Sequence, residues 1–247
     1  MVRLSAAEYG GFPAGATATG MGRRRFLVGL AAGAPLVLAG CGGSKGKAAE
    51  APVPTATPSS APSAVPARTG TGDTTVMIIR HGEKPDGSHP GLDENGRGDG
   101  HSLTDRGWQR ARALPQLFDP AGRKPLTAGL VRPARIYAAT DQGPHAGAHR
   151  MRQTVTPLAA HLGLTVDTTY AESQEAALAT AAVSVPGPVL ICWEHSRIPA
   201  IVNALGASHT GVPGTWPDRF DLVWVFTRTG GTWSFRQVSQ QLLDGDR

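Results

Sequence analysis

The stretch Thr75-Val76-Met77-Ile78-Ile79 is followed at once by Arg80-His81-Gly82-Glu83, and Pro188-Val189-Leu190-Ile191-Cys192-Trp193 is followed by Glu194-His195. Both stretches are unbroken apolar runs. An amphipathic strand on a half-exposed sheet would alternate, so these runs predict central strands covered on both faces. Further strands are expected at Arg135 to Ala139, Asp221 to Thr227 and Thr232 to Val238. Between them the apolar period becomes helical. Thr104 is placed as N-cap of a segment in which Gly107, Ala111, Leu114 and Phe118 share a face, with Pro115 expected to kink or shorten it. Met151, Val155, Leu158, Ala159 and Leu162 mark a second helix that ends at Gly163, and an Ala-rich third spans Glu172 to Ala182. Ile198, Ile201, Val202 and Leu205 mark a fourth, with Pro199 in its first turn. Strand and helix alternate, which predicts an α/β fold with a mostly parallel sheet. Ligands in such sheets bind beyond the carboxyl ends of the strands. His81 and His195 each stand at such an end.

The front of the chain has a different character. Residues 22 to 41 combine the basic cluster Arg23, Arg24 and Arg25 with an apolar stretch and small residues before Cys41, the pattern of an export signal. Phe26 to Gly40 is too short to span a bilayer as a helix, for which about 20 residues are needed, and Pro35 interrupts it. Arg23-Arg24-x-Phe26-Leu27 resembles a twin-arginine translocation signal, although a general secretory signal would carry the same arginines, and Leu38-Ala39-Gly40-Cys41 resembles a bacterial lipobox. Lipidation of Cys41 would make it the mature N-terminus and anchor the protein on the outer side of the cell membrane. Met21 directly precedes the signal and is an alternative start.

Three regions are therefore expected: residues 1 to 40 as signal, 41 to 72 as a tether, and 73 to 247 as the folded domain. The tether is rich in Ala, Pro, Ser, Thr and Gly, contains no aromatic residue, and cannot bury enough apolar surface to fold. Removing residues 1 to 40 takes away four arginines and one glutamate, so the formal charge falls from +5 to +2. The remaining arginines are interspersed with acids, with no basic stripe or interleaved aromatics, which argues against nucleic acid as a partner. Cys192 is left as the only thiol of the domain.

Arg80, His81, Arg150 and His195 suit phosphoryl chemistry. A phosphoryl group carries close to two negative charges, and guanidinium forks match its oxygens in charge and geometry. A neutral imidazole can attack phosphorus, and a positioned acid can protonate the departing alcohol. No cofactor or metal is called for. Arg80-His81-Gly82-Glu83 after the first strand, Leu103-Thr104-Asp105-Arg106-Gly107-Trp108 opening a helix, Arg150-Met151-Arg152-Gln153-Thr154 opening the next, and His195 after an apolar strand together resemble the histidine phosphatase superfamily, which includes the phosphoglycerate mutase-like and acid phosphatase enzymes. The match runs through residues 75 to 242 in the family's order.

The resemblance implies a three-layer α/β/α sandwich of the phosphoglycerate mutase-like kind. It implies His81 as the nucleophile that becomes phosphohistidine, Arg80 and Arg150 as phosphate ligands, and His195 as the second pocket histidine. Met151 replaces the family's Ala after the second arginine. The proton donor is left open: Glu194 and Glu175 come first, then Glu172, then Glu83. Strand alternation would turn Glu194 away from the His195 side. The expected activity is a metal-independent phosphomonoester hydrolase outside the cytoplasm acting on a small phosphorylated substrate. Mutase activity is disfavoured because Lys84-Pro85-Asp86-Gly87 follows where the family mutases carry a Ser-x-Trp-Asn-like stretch. A second reading is a non-catalytic surface module that binds phosphate but lacks a working acid. The loop Lys84 to His101 is long for a connector and is expected at the substrate-facing rim, with Lys84 near the leaving group. His145 and His149 are read as loop residues and Arg152 as a solvated helix charge.

Overall fold

The structure, a computed structural model, describes residues 72–121 and 125–247. The export signal, the lipidation site at Cys41 and nearly all of the tether lie outside the described residues. The domain alternates β1 (Thr74–Arg80), α1 (Asp105–Phe118), β2 (Arg135–Ala138), α2 (Arg150–Leu162), β3 (Val166–Asp167), α3 (Glu175–Ser184), β4 (Val189–Trp193), α4 (Ile198–Ala204), β5 (Leu222–Thr229) and β6 (Thr232–Ser239). Six strands form one sheet in the order β3-β2-β4-β1-β5-β6. The first four are mutually parallel, and β5 and β6 add antiparallel at one edge. The fold is a mixed α/β sandwich.

Chain order and handedness place the helices. The crossovers through α1 and α2 step towards the β3 edge and that through α3 steps back, so right-handed crossovers put α3 on the face opposite α1 and α2. The packing agrees, with α1 against α2 and α3 against α4. Covered on both sides, Val76 to Ile79 and all of β4 are fully buried, as their unbroken apolar runs require. Edge strand β6 is instead mostly exposed or half-buried, with only Trp233 and Val238 buried.

Helix α1 runs a turn beyond Pro115, where the sequence suggested a break. Leu114, Leu117 and Phe118 on either side of the proline bury against the core, and at about 1.5–3 kcal/mol for each fully buried large apolar side chain their packing offsets the backbone hydrogen bond that proline forfeits. Thr104 caps α1 by accepting from Gly107 N at 3.2 Å, and Gly163 ends α2 in the left-handed conformation at φ 69°. The third helix starts at Glu175, three residues later than expected, because Glu172 and Ser173 form a turn in which Ser173 has φ 103°. The two-residue strand β3 carried no periodic signal.

Parallel register sets the site. Arg80 pairs with Trp193 across β1 and β4, and His81 N continues the ladder to Trp193 O at 3.3 Å. The residues after Arg80 and after Trp193 therefore leave the sheet side by side. Gly82 then crosses the start of α1 so closely that a Cβ on Gly107 would stand 2.7 Å from Glu83 O and 3.0 Å from Glu83 N. Gly82 serves this close approach rather than a left-handed turn, since a Cβ there would meet the Gly107 backbone at 3.1 Å. Because the obstructing atoms are backbone, Gly107→Ala should displace the His81 loop and destabilise the fold by about 1–3 kcal/mol, measured as a lower urea midpoint at unchanged slope.

Candidate active site

His81 is 1% exposed, and its Nδ1 lies 2.7 Å from Gly82 O. A carbonyl only accepts, so the proton sits on Nδ1 and the Nε2 lone pair is free. Burial is the main force that pushes the imidazole down to about 3; the Gly82 hydrogen bond opposes it, and the Arg150 and Arg80 cations reinforce it. The ring is neutral throughout the physiological range.

Arg80, at the end of β1, is 2% exposed, with its guanidinium carbon 3.9 Å from the Phe220 ring centroid. Its Nη1 donates to Asp218 Oδ1 at 3.2 Å. Arg150 is the first residue of α2 and donates through Nη1 to Gly100 O at 3.3 Å. Burial holds the Arg150 guanidinium below its ordinary value, against the pull of Glu172, Glu194 and Asp99. Arg80 Nε and Arg150 Nε are buried atoms without a hydrogen-bond partner. A donor left unpaired inside a protein costs about 1–3 kcal/mol, so an acceptor-only anion entering here would relieve a standing penalty. Asp218, whose side chain is 99% exposed, is the movable counter-ion that an arriving phosphate would displace from Arg80. Asp218→Asn should therefore tighten inorganic phosphate binding by about 2- to 5-fold in calorimetry, the scale of an exposed ion pair.

The carboxylates divide by environment. Strand β4 ends at Trp193, so Glu194 is beyond the reach of the alternation argument and is not turned away. Ligand atoms of Glu194, His195 and His81 all lie within 4.8 Å of one another. Glu194 Oε2 accepts from Ser196 N at 2.8 Å and from Ser196 Oγ at 2.5 Å. Burial works against its charge, but the Ser196 hydrogen bonds and the His195 ring outweigh it and hold the carboxyl below its ordinary range. Glu175 is 6% exposed, and its Oε1 accepts from Ser173 N at 3.0 Å and from the Trp193 indole at 3.3 Å. Its carboxylate is committed to pinning the end of β4. Glu172 goes the other way: burial first, and then the charge of Glu194, push its carboxyl up, against the attraction of Arg197 and Arg150. His195, about one-third exposed, is held below its ordinary value by burial and by Arg80.

No family model matches the sequence, and a search of curated proteins found no match. Solved structures similar to this chain include a proposed phosphohistidine phosphatase, SixA, from Agrobacterium tumefaciens, 18% identical over 67% of this chain and 97% of that one at a TM-score of 0.41. The alpha-ribazole phosphatase from Shigella flexneri is 14% identical over 67% of this chain and 96% of that one, with a TM-score of 0.39. Phosphoglycerate mutase from Bacillus anthracis is 12% identical over 69% of this chain and 94% of that one, also at 0.39.

Residues without an assigned role in the sequence hold this site together. Thr154 Oγ1 accepts from Gly82 N at 2.8 Å and donates to Arg150 O at 2.7 Å, which ties the His81 loop to the start of α2. Gln153, fully buried, accepts from Leu103 N at 3.0 Å and donates to Ser102 Oγ at 2.8 Å, fixing the end of the Lys84 to His101 loop. Two polar side chains on an otherwise apolar helix face were the available signal. Glu83 is not a pocket acid: Arg110, 2% exposed, clamps its carboxylate at 2.7 Å and binds Asp246 at 2.8 Å. Arg152 is not simply solvated, since it is half-buried and pairs with Asp141 at 2.6 Å and Glu94 at 3.1 Å. His149 Nδ1 also meets Asp141, at 3.1 Å. Lys84 is exposed at the rim, close enough to depress the His195 pKa.

Proposed function

We propose that the chain is an exported, lipid-anchored phosphomonoester hydrolase that works through phosphohistidine at His81. The observation that carries this reading is the tautomer of His81: the Gly82 carbonyl holds the proton on Nδ1 and leaves Nε2 free beside Arg80, Arg150 and His195. In the first step Nε2 attacks phosphorus, the ester P–O bond breaks, and a protonated Glu172 gives its proton to the departing alkoxide. Arg80, Arg150 and His195 stabilise the charge spread over the equatorial oxygens. In the second step water attacks the phosphohistidine, the Glu172 carboxylate takes the proton, and the N–P electron pair returns to Nε2. This ordering makes Glu172 the acid in place of Glu194 and Glu175. The reaction calls for no cofactor and no metal, and the substrate is a small phosphorylated metabolite met outside the cytoplasm, with the membrane engaged only through lipid on Cys41.

The test is incubation of the purified full chain with an aryl phosphate in the presence of a chelator, with phosphate release and acid-quenched phosphohistidine followed together by ³¹P NMR. Turnover with a trapped N–P species supports the enzyme. No release, together with phosphate affinity unchanged by His81→Ala, would replace it with a non-catalytic phosphate-binding module.

A further inference from the structure

We propose that His81, His195 and Glu194 also form a binding site for a divalent cation of the zinc type, and that such a cation closes the pocket to phosphoryl transfer by occupying His81 Nε2. The inhibition rests on the phosphohistidine reading; the binding does not.

Three observations carry the site. The donor set is two imidazoles and one carboxylate, each offering an atom within 4.8 Å of the other two. Imidazole with carboxylate suits zinc, cobalt and nickel, whereas magnesium and calcium take oxygen ligands. The second observation is the Gly82 carbonyl on His81 Nδ1, at 2.7 Å. A metal-bound histidine usually donates its other ring N–H to a carbonyl or carboxylate in this way, which fixes the tautomer and aims the lone pair. The third is the contact of His195 Nδ1 with Glu194 Oε1 at 2.5 Å, although Nδ1 has no hydrogen-bond partner. The contact already brings two of the three donors together at the mouth of the pocket.

Geometry and charge permit it. Tetrahedral zinc with bonds of about 2.0–2.2 Å sets neighbouring donors about 3.3 Å apart, so Glu194 Oε1 and His195 Nδ1, now 2.5 Å apart, must part slightly while both gather round an ion on His81. His81 is fixed, but the Glu194 and His195 side chains are 23% and 32% exposed and have room to turn inward. Two guanidiniums stand nearby and oppose a cation. Asp218 pairs Arg80 at 3.2 Å, and Glu172, Glu194 and Asp99 face Arg150, so the pocket is not left strongly positive.

Titration of the purified full chain with Co²⁺, read by visible absorption, and with Zn²⁺, read by calorimetry, tests the site. One cation per chain should bind with the strong absorption of a low-coordinate cobalt centre, and Mg²⁺ should not compete. His195→Ala and Glu194→Gln should each weaken it by at least about tenfold, and His89→Ala, at an exposed histidine, should not. With Zn²⁺ bound, ³¹P NMR should show no phosphohistidine from an aryl phosphate, and chelator should restore it. A cobalt spectrum indifferent to His195→Ala overturns the site. Phosphohistidine formed undiminished with zinc bound, or activity that requires zinc, overturns the closure. Cobalt binding through these residues in a chain that makes no phosphohistidine even with chelator supports the site and overturns the phosphatase reading instead.

Discussion

His81→Ala is expected to lower kcat/KM for an aryl phosphate by at least about 10⁴-fold, more than about 5 kcal/mol of transition-state stabilisation, and to abolish the acid-labile phosphoprotein. The loss is this large because the Gly82 carbonyl aims the His81 lone pair, whereas the other pocket imidazole, His195, rests against the Glu194 carboxylate at 2.5 Å. Cys192 is buried within β4 opposite Ile79, and burial pushes its thiol well above the ordinary range. The same substitution carries a stability signature. The imidazole is held at about 3 when folded, against an ordinary value of 6.5. Between those values the unfolded chain binds the proton and the folded chain does not, so stability falls as pH drops from 6.5 towards 3. His81→Ala removes that dependence. Urea melts of the two proteins at pH 7 and pH 4 should show a steeper loss on acidification for the parent than for the variant, and parallel losses would mean that His81 is not held neutral by its surroundings.

Features that depend on local pattern were legible in the sequence, and those that depend on where an element stops were not. The unbroken apolar runs at Val76 to Ile79 and Val189 to Trp193 located the central strands, because a strand covered on both faces has no reason to alternate. Placing His81 and His195 beyond those strands then needed only a parallel sheet. The acids were different. Glu194 was expected to face away on the assumption that it continues β4, yet the strand ends one residue earlier and a turn held by Ser196 brings the carboxylate beside His81. Glu175 and Glu172, three residues apart, look equivalent in the sequence. The Trp193 indole binds one of them and leaves the other beside Glu194, and nothing local encodes that pairing. Glu83 was left open for a similar reason: its partner Arg110 lies 27 positions on, and Asp246, which shares that arginine, a further 136. Contacts of such separation are set by the fold as a whole.

The division among the carboxylates leads to the second large effect. If Glu172 is the acid, Glu172→Gln should cost about 10²- to 10⁴-fold in kcat for an alkyl phosphate, the usual contribution of a positioned proton donor. An aryl phosphate with an acidic phenol should lose far less, because its leaving group departs without help. Glutamine keeps the size of the side chain and, like the protonated acid, carries no charge beside Arg150 and Glu194, so KM should change little in comparison. The acid works protonated, and its carboxyl is pushed above the ordinary 4.5. Parent activity on the alkyl ester should therefore fall as pH rises through that raised value, and the limb should be missing in Glu172→Gln. Glu194→Gln is the contrast. Glu194 is held ionised by Ser196, so its removal should keep the alkaline limb but move it to lower pH, because the Glu194 charge helps hold the Glu172 carboxyl up. The outcome that would return the role to Glu194 is a leaving-group dependence that appears in Glu194→Gln and not in Glu172→Gln, since sensitivity to leaving-group acidity follows whichever group supplies the proton.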